Sequence, residues 1–232
     1  MNSYLIENLM NFGLSRQEAL IYVELIKLGQ STGYEISKIT GISRSNVYSS
    51  LSELVNKGAA VLSEGETAKY DAVNPEEFLS NVIRTLSDKK QAVLLQLPSK
   101  KETEEGYITV KGFENIKNKI RVMLDNTEKR LYFMASKDII SIFSEELKNL
   151  AQEKKKIVIL SDGFKISGAK VYETECEEGQ VRLITDSLYV LTGEFNGTLE
   201  DTCLYSGKRN LVDVMKEALK NKIVLLEQET KK

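Results

Sequence analysis

Residues 14–73 read LSRQEALIYVELIKLGQSTGYEISKITGISRSNVYSSLSELVNKGAAVLSEGETAKYDAV. Apolar residues recur at helical spacing in three successive runs, each closed by a glycine, and two short alternating segments follow. Ser15 with Glu18 three residues on is a capping-box pattern, Ala19, Tyr22, Val23 and Ile26 give an apolar face, and Gly29 stops the run. Ser31 or Thr32 can cap a second, shorter helix with Ile36 and Ile39 turned inward. Gly41 supplies the positive φ of a sharp turn that Ile42 plugs. Ser43 caps a longer helix with Val47, Leu51, Leu54 and Val55 on one face and Gly58 at its end. Ala60–Leu62 and Lys69–Val73 then alternate around Glu64-Gly65-Glu66, as a hairpin does. Three helices followed by a hairpin is the order of a winged helix-turn-helix, a scaffold that presents its last helix to a DNA major groove.

The face of that helix opposite its apolar row carries Ser45, Ser49, Ser52 and Asn56, flanked by Arg44, Asn46 and Tyr48. Small polar side chains let a helix backbone approach base edges closely, while longer donors reach phosphates. Ser43, Thr32 and Lys69 complete the expected DNA contacts. The plainer reading of the serines is a solvated helix face, but the hairpin after the third helix favours DNA. Residues 1–75 hold six Lys and Arg against eight Asp and Glu, a net of −2. This segment lacks the basic excess that drives nonspecific binding, so a dimer with well-placed contacts is expected.

The residues Gly13-Leu14-Ser15, Glu18-Ala19, Tyr22, Leu25, Gly29, Gly41-Ile42-Ser43-Arg44, Val47-Tyr48, Leu51, Leu54 and Gly58 resemble the DNA-binding domain of the TrmB-like transcriptional regulators. The resemblance implies a sequence-specific regulator in which the helix from Ser43 reads DNA and Arg44 meets a phosphate or base. Asn46 stands where family members often carry a basic residue.

Asn74-Pro75-Glu76-Glu77 is a strong helix start: Asn caps, Pro takes the first helical position and two acids meet the positive end of the dipole. Leu79, Ile83, Leu86, Val93 and Leu97 recur at coiled-coil spacing up to Pro98, with Lys90 interrupting them. This stripe predicts either a homodimer seam or packing on the chain's own domain, and the dimer is preferred. Two reading helices would then lie about 34 Å apart on a palindromic operator. Lys100–Glu105 is a charged linker. The expected organisation is multidomain α+β: a winged helix-turn-helix over 1–74, a linker and dimerisation helix over 75–105, and an α/β regulatory domain over 106–232.

In that last domain strands are expected at Tyr107–Val110, Leu131–Ala135, Ile157–Leu160, Val181–Ile184 and Leu188–Leu191. Helices are expected at Phe113–Leu124, Lys137–Glu153 with Ser136 as cap, and Asn210–Glu227. Apolar strands without polar alternation imply a sheet covered on both faces. Asp186, six residues, then Gly193-x-x-Asn196 resembles the second half of the phospholipase D-like motif. The first half is absent: Gly179 and Val181 stand where its His and Lys belong, and the chain contains no histidine. That route to phosphodiester hydrolysis therefore lacks its nucleophile, and no catalytic residue is expected. The TrmB-like resemblance implies a phospholipase D-like domain stripped of catalysis that senses an effector, in some members a sugar. An effector is expected beside Asp186, Asn196 and the Ser206-Gly207-Lys208-Arg209 turn, although a solvated helix end is the preferred reading of Lys208 and Arg209.

Cys176, among Glu173, Glu175, Glu177 and Glu178, is expected to be a poor nucleophile, because negative charge raises a thiol pKa. That acidic cluster matches neither a transition-metal site nor an EF-hand, so no metal or other cofactor is expected. With 232 residues, 41% hydrophobic and 28% charged, the composition is ordinary for globular protein. Apolar runs such as Ile223–Leu226 are too short for a bilayer, and Met1-Asn2-Ser3 does not open a secretory signal. A cytoplasmic protein without a membrane partner is expected. The competing functional readings are a winged-helix protein-interaction module without operator specificity and, behind it, a phospholipase D-like hydrolase.

Overall fold

The computed structural model describes residues 3–63, 65, 67–98 and 106–229. The expected wing tip at Glu64 and Glu66 and the charged linker at Lys100–Glu105 lie outside the described residues. The chain divides into two compact units, Met1–Lys100 and Lys101–Lys232.

The first unit contains α1 (Ser3–Asn11), α2 (Arg16–Leu28), α3 (Gly33–Thr40), α4 (Arg44–Asn56), β1 (Ala60–Ser63), β2 (Lys69–Ala72) and α5 (Pro75–Gln96). Both α2 and α3 start from full capping boxes, Ser15 with Glu18 and Thr32 with Glu35. Glu18 also accepts from Lys57 at 2.6 Å, and Lys57 donates in addition to the Gly13 carbonyl, tying the start of α2 to the end of α4. Gly41 is left-handed at φ 72°, ψ 4°, as the turn requires. Ser43 holds the N-cap position of α4 but makes no capping bond, its hydroxyl meeting Ser45 instead. The strands β1 and β2 pair antiparallel from Ala60–Ala72 to Ser63–Lys69, and Ser31 bridges to Tyr70, fastening the start of α3 to the hairpin.

The core of this unit gathers Ile6, Leu9, Tyr22, Leu25, Ile36, Val47, Leu51, Leu54 and Phe78. Two inward assignments are corrected: Ile26 and Ile39 are exposed, while Ile21, Leu25 and Ile36 are buried. Each helix is rotated so that the row nearest its neighbours goes in, and spacing alone does not choose between adjacent apolar rows. Residues 3–11, for which no element was assigned, form α1, which adds Ile6 and Leu9 to this core. Asn74 caps α5 through Glu76 N, and Phe78 on its first turn packs on Tyr22 with ring centroids 5.5 Å apart. Leu79 is corrected as well: with Val82 it packs against this same core rather than standing free in a seam.

The second unit is α/β. Its elements are β3 (Ile108–Lys111), α6 (Phe113–Asp125), β4 (Arg130–Met134), α7 (Lys137–Ser141), α8 (Ser144–Gln152), β5 (Lys156–Ser161), β6 (Lys170–Glu173), β7 (Gln180–Thr185), β8 (Tyr189–Glu194), β9 (Thr202–Ser206) and α9 (Arg209–Glu229). The strands form one mixed seven-stranded sheet ordered β3-β9-β8-β7-β4-β5-β6, parallel only across β4-β5 and β5-β6. Alternate residues go to opposite faces: Leu131, Phe133, Ile157, Ile159, Val181 and Leu183 pack under α6, α7 and α8. Met134, Val158, Leu160, Ile184 and Val190 face Val212 and Leu219 of α9.

The single helix expected at Lys137–Glu153 is two, broken at Ile142–Phe143. The break lets Phe143 enter the core, with ring centroids 5.9 Å from Phe133 and 6.2 Å from Phe195. Ser141 and Ser144 bond nearby backbone carbonyls at the same place. Strands β6 and β9, not anticipated, add to the sheet.

Asp186 and Ser187 both adopt positive φ in the turn between β7 and β8. The Asp186 carboxylate accepts from the backbone amides of Glu128, Lys129 and Arg130 at 2.7–2.9 Å, and its own amide donates to the Arg130 carbonyl. Burial alone would raise this carboxyl's pKa, but the three amides outweigh it and hold the group below its ordinary value. A carboxyl depressed in the folded state stabilises above its unfolded pKa, and that contribution is lost as pH falls through the folded value. Asp186→Asn should therefore destabilise the second unit by about 2 kcal/mol at neutral pH, allowing for partial solvent screening. The deficit should narrow below pH of about 4. Thermal melts of parent and variant across that range would check both the size and the narrowing.

Candidate functional site

Burial of Val47, Leu51 and Leu54 turns Ser45, Asn46, Ser49, Ser52 and Asn56 outward on α4 as one exposed polar strip. Arg44 begins the helix, and its guanidinium lies over the Tyr34 ring at 4.5 Å from the centroid. Tyr34, about half exposed, is a surface residue that sequence reasoning missed, because its partnership with Arg44 joins two helices and has no local signal. The Tyr48 ring packs against Gly33 so closely that a Cβ there would lie 2.6 Å from it. Tyr48 is thus partly an internal wedge between α3 and α4 rather than only an outward donor. Thr32 gives its amide and hydroxyl to Glu35, whose carboxyl is held below its usual pKa chiefly by those bonds, with Lys69 contributing. The structure brings Thr32, Glu35 and Lys69 together beside the α3–α4 pair, all held by the Ser31–Tyr70 bridge.

The residues considered for an effector do not converge. Strand register puts Asp186 and Ser206 toward one end of β8 and Asn196 beyond the other, since Thr185 pairs with Tyr189, Val190 with Ser206 and Gln180 with Glu194. The Asp186 carboxylate is already occupied by three amides. Arg209 is almost fully exposed with Asp213 at 3.5 Å, and the Lys208 amide donates to the Ser206 hydroxyl. Arg209 thus stands in solvent at the start of α9, whereas Lys208 is partly buried.

At the Asn196 end, the half-motif shows its present chemistry. The Asn196 side chain occupies the space beside Gly179, its Oδ1 lying 1.8 Å from where a Cβ at 179 would be. The adjoining cavity, about 390 Å³, is lined by Ser136, Asp138, Glu178, Gly179 and Asn196 among apolar residues, with two acids and no cation in its lining. An acidic lining repels a phosphodiester.

Both cysteines sit where the thiolate is disfavoured. Burial pushes the Cys203 thiol up to about 12. Cys176 is also raised, first by burial and then by Asp162, rather than by the glutamates flanking it in sequence. Among the described residues no helix is long and apolar enough to cross a membrane, and no group of three or more His, Cys, Asp or Glu is placed to hold a metal ion.

Residues 9–76 match the family described as sugar-specific transcriptional regulator TrmB. YrhO of Bacillus subtilis (strain 168) is 25% identical over 74% of this chain and 64% of its own length. The HTH-type sugar sensing transcriptional regulator TrmBL1 of Pyrococcus furiosus is 33% identical over 48% of this chain and 34% of its own length. The chain therefore spans less than two thirds of either relative. Among solved structures, TrmBL2, described as an archaeal chromatin protein, aligns over 96% of this chain and 97% of its own at 20% identity and a TM-score of 0.46. NucT from Helicobacter pylori aligns over 52% of this chain and 95% of its own at 11% identity and a TM-score of 0.40. The similarity to the TrmB family resides in residues 9–76, the segment that holds α2 to β2 and the start of α5.

Proposed function

We propose that this protein is a sequence-specific DNA-binding transcriptional regulator in which α4 lies in a major groove and β1–β2 serves as the wing. The observation that carries the reading is the outward strip Ser45-Ser49-Ser52-Asn56 on a helix locked by Val47, Leu51 and Leu54, with Arg44 preset on Tyr34 at its start. A rigid helix with short polar side chains approaches base edges, and a stacked guanidinium loses less rotamer freedom on meeting a phosphate. Thr32 and Lys69 add flanking backbone contacts. The TrmB match over residues 9–76 supports the same reading, as does similarity to the DNA-binding HTH-type transcriptional repressor TrmBL2 of Thermococcus kodakarensis.

The protein acts as a homodimer on a palindromic operator. Ile83, Leu86 and Val93 on α5 and Leu97 at its C-cap are each more than half exposed and recur at heptad spacing beyond the part that Phe78 and Leu79 anchor. Residues 1–74 are the reading head, 75–105 the connecting and dimerising segment, and 106–232 a noncatalytic effector domain. The filled space at Gly179 and the cation-free lining around it support the absence of hydrolysis. Effector occupancy shifts operator affinity by changing the population of dimer geometries.

Selection of bound duplexes from a random pool should return a palindrome, and affinity for it should fall steeply with added salt. Recovery of no duplex at low salt would favour the protein-interaction reading instead. Arg44→Ala should weaken operator binding by about tenfold with an unchanged melting temperature; equal affinity would remove Arg44 from the interface. Leu86→Glu should move the protein toward monomer in sedimentation velocity, and an intact dimer would place the interface elsewhere.

A further inference from the structure

Among the described residues of the second unit, α9 packs on one face of the sheet, whereas α6, α7 and α8 share the other. Seven strands span roughly 30 Å and one helix covers only about 10 Å, so α9 by itself leaves part of this face beside it. There a cavity of about 490 Å³ lies between α9 and strands β4, β5, β6 and β7. This is within the range of small-molecule sites.

Its chemistry is of two kinds. The floor and walls are apolar, formed by Val158, Ile184, Leu219 and Ile223, all packed within or against the core beneath α9. Around them stand four lysines from two opposed directions. Lys156 and Lys170 are the first residues of the neighbouring parallel strands β5 and β6, and Lys216 and Lys220 lie one turn apart on α9. Lys170 is committed to Glu227 at 2.8 Å, and Tyr172 donates to the same carboxylate. Among the described residues, Lys156, Lys216 and Lys220 have no carboxylate within salt-bridge distance, and Glu217 is the acid in the lining. Cations gathered over an apolar floor with fewer anions than they could pair with favour a ligand that brings one negative charge on an apolar body.

We propose that this cavity binds an amphiphilic monocarboxylate, its hydrocarbon portion on Val158, Ile184, Leu219 and Ile223 and its carboxylate between the lysines of α9 and those opening β5 and β6. The site is separate from the Asp186 turn and from the Gly179–Asn196 cavity. Binding itself does not depend on the regulatory reading; only its consequence for an operator does.

The test is calorimetric titration of the full chain at low salt with decanoate, with decanol and maltose as controls. Decanoate should bind saturably at one site, with a dissociation constant at or below about 1 mM. Decanol, with the same chain and no charge, should bind at least about tenfold more weakly, and maltose should give no heat at this site. Lys216→Ala with Lys220→Ala, both away from the core, should weaken decanoate at least about tenfold while the melt is unchanged. Val224→Trp, which narrows the cavity mouth from a surface position, should weaken it independently of charge. No decanoate binding, equal binding of decanol, or indifference to both variants would overturn the proposal. Tight decanoate binding without any change in operator affinity would leave the site standing and remove its coupling to DNA.

Discussion

The rotation of α4 is set by the burial of Val47, Leu51 and Leu54 against α2 and α3, and the polar strip faces outward because of it. Each fully buried aliphatic side chain contributes about 1.5–3 kcal/mol, so a rotation that exposed the three would cost a large share of a small unit's stability. The strip on the opposite face therefore needs no specific contact to hold it outward. The rest of the unit reinforces that setting: Lys57 ties the end of α4 to Glu18, Tyr48 wedges against Gly33, and the Ser31–Tyr70 bridge holds the hairpin beside α3.

The helix starts were legible because their determinants are local. Ser15–Glu18 and Asn74-Pro75 each carry a cap within three residues and the structure uses both; of Ser31 and Thr32 it uses Thr32, with Glu35 completing the box, while the hydroxyl expected to cap at Ser43 makes no such bond. Gly41 was legible for the same reason. Ile26 and Ile39 were misplaced because apolar spacing marks a helix without selecting which of two adjacent rows meets the neighbouring helix. In the second unit the apolar central strands were found, while β6 and β9 were not. Their sequences, KVYE and TCLYS, mix polar and apolar residues in runs too short for a periodicity signal. The break before α8 answers to Phe143 entering a distant aromatic cluster, which no local pattern encodes.

The candidate site divides along the same line. The α4 strip followed from helical geometry alone, and its residues stand together. The proposed effector group failed to assemble, because a shared motif spacing says nothing about which end of a strand each residue reaches. Asp186 is the clearest instance. Its carboxylate organises the backbone of residues 128–130, so its presence in the motif reflects architecture rather than ligand chemistry. Tyr34 under Arg44 and the lysines beneath α9 came only from tertiary structure, since their partners are distant along the chain.

The close fit of Asn196 into the space beside Gly179 makes the introduction of any side chain at 179 a coordinated change rather than a stepwise one. An imidazole introduced at 179 would collide with the amide already there, and removing that amide first would leave an empty pocket with no nucleophile. Neither intermediate gains anything from the other half of the change. With Asp138 and Glu178 also bordering the spot, a third alteration of charge would be needed before a phosphate could enter. Positions 179 and 196 therefore act as a single wall element, whose size and charge cannot be altered one residue at a time.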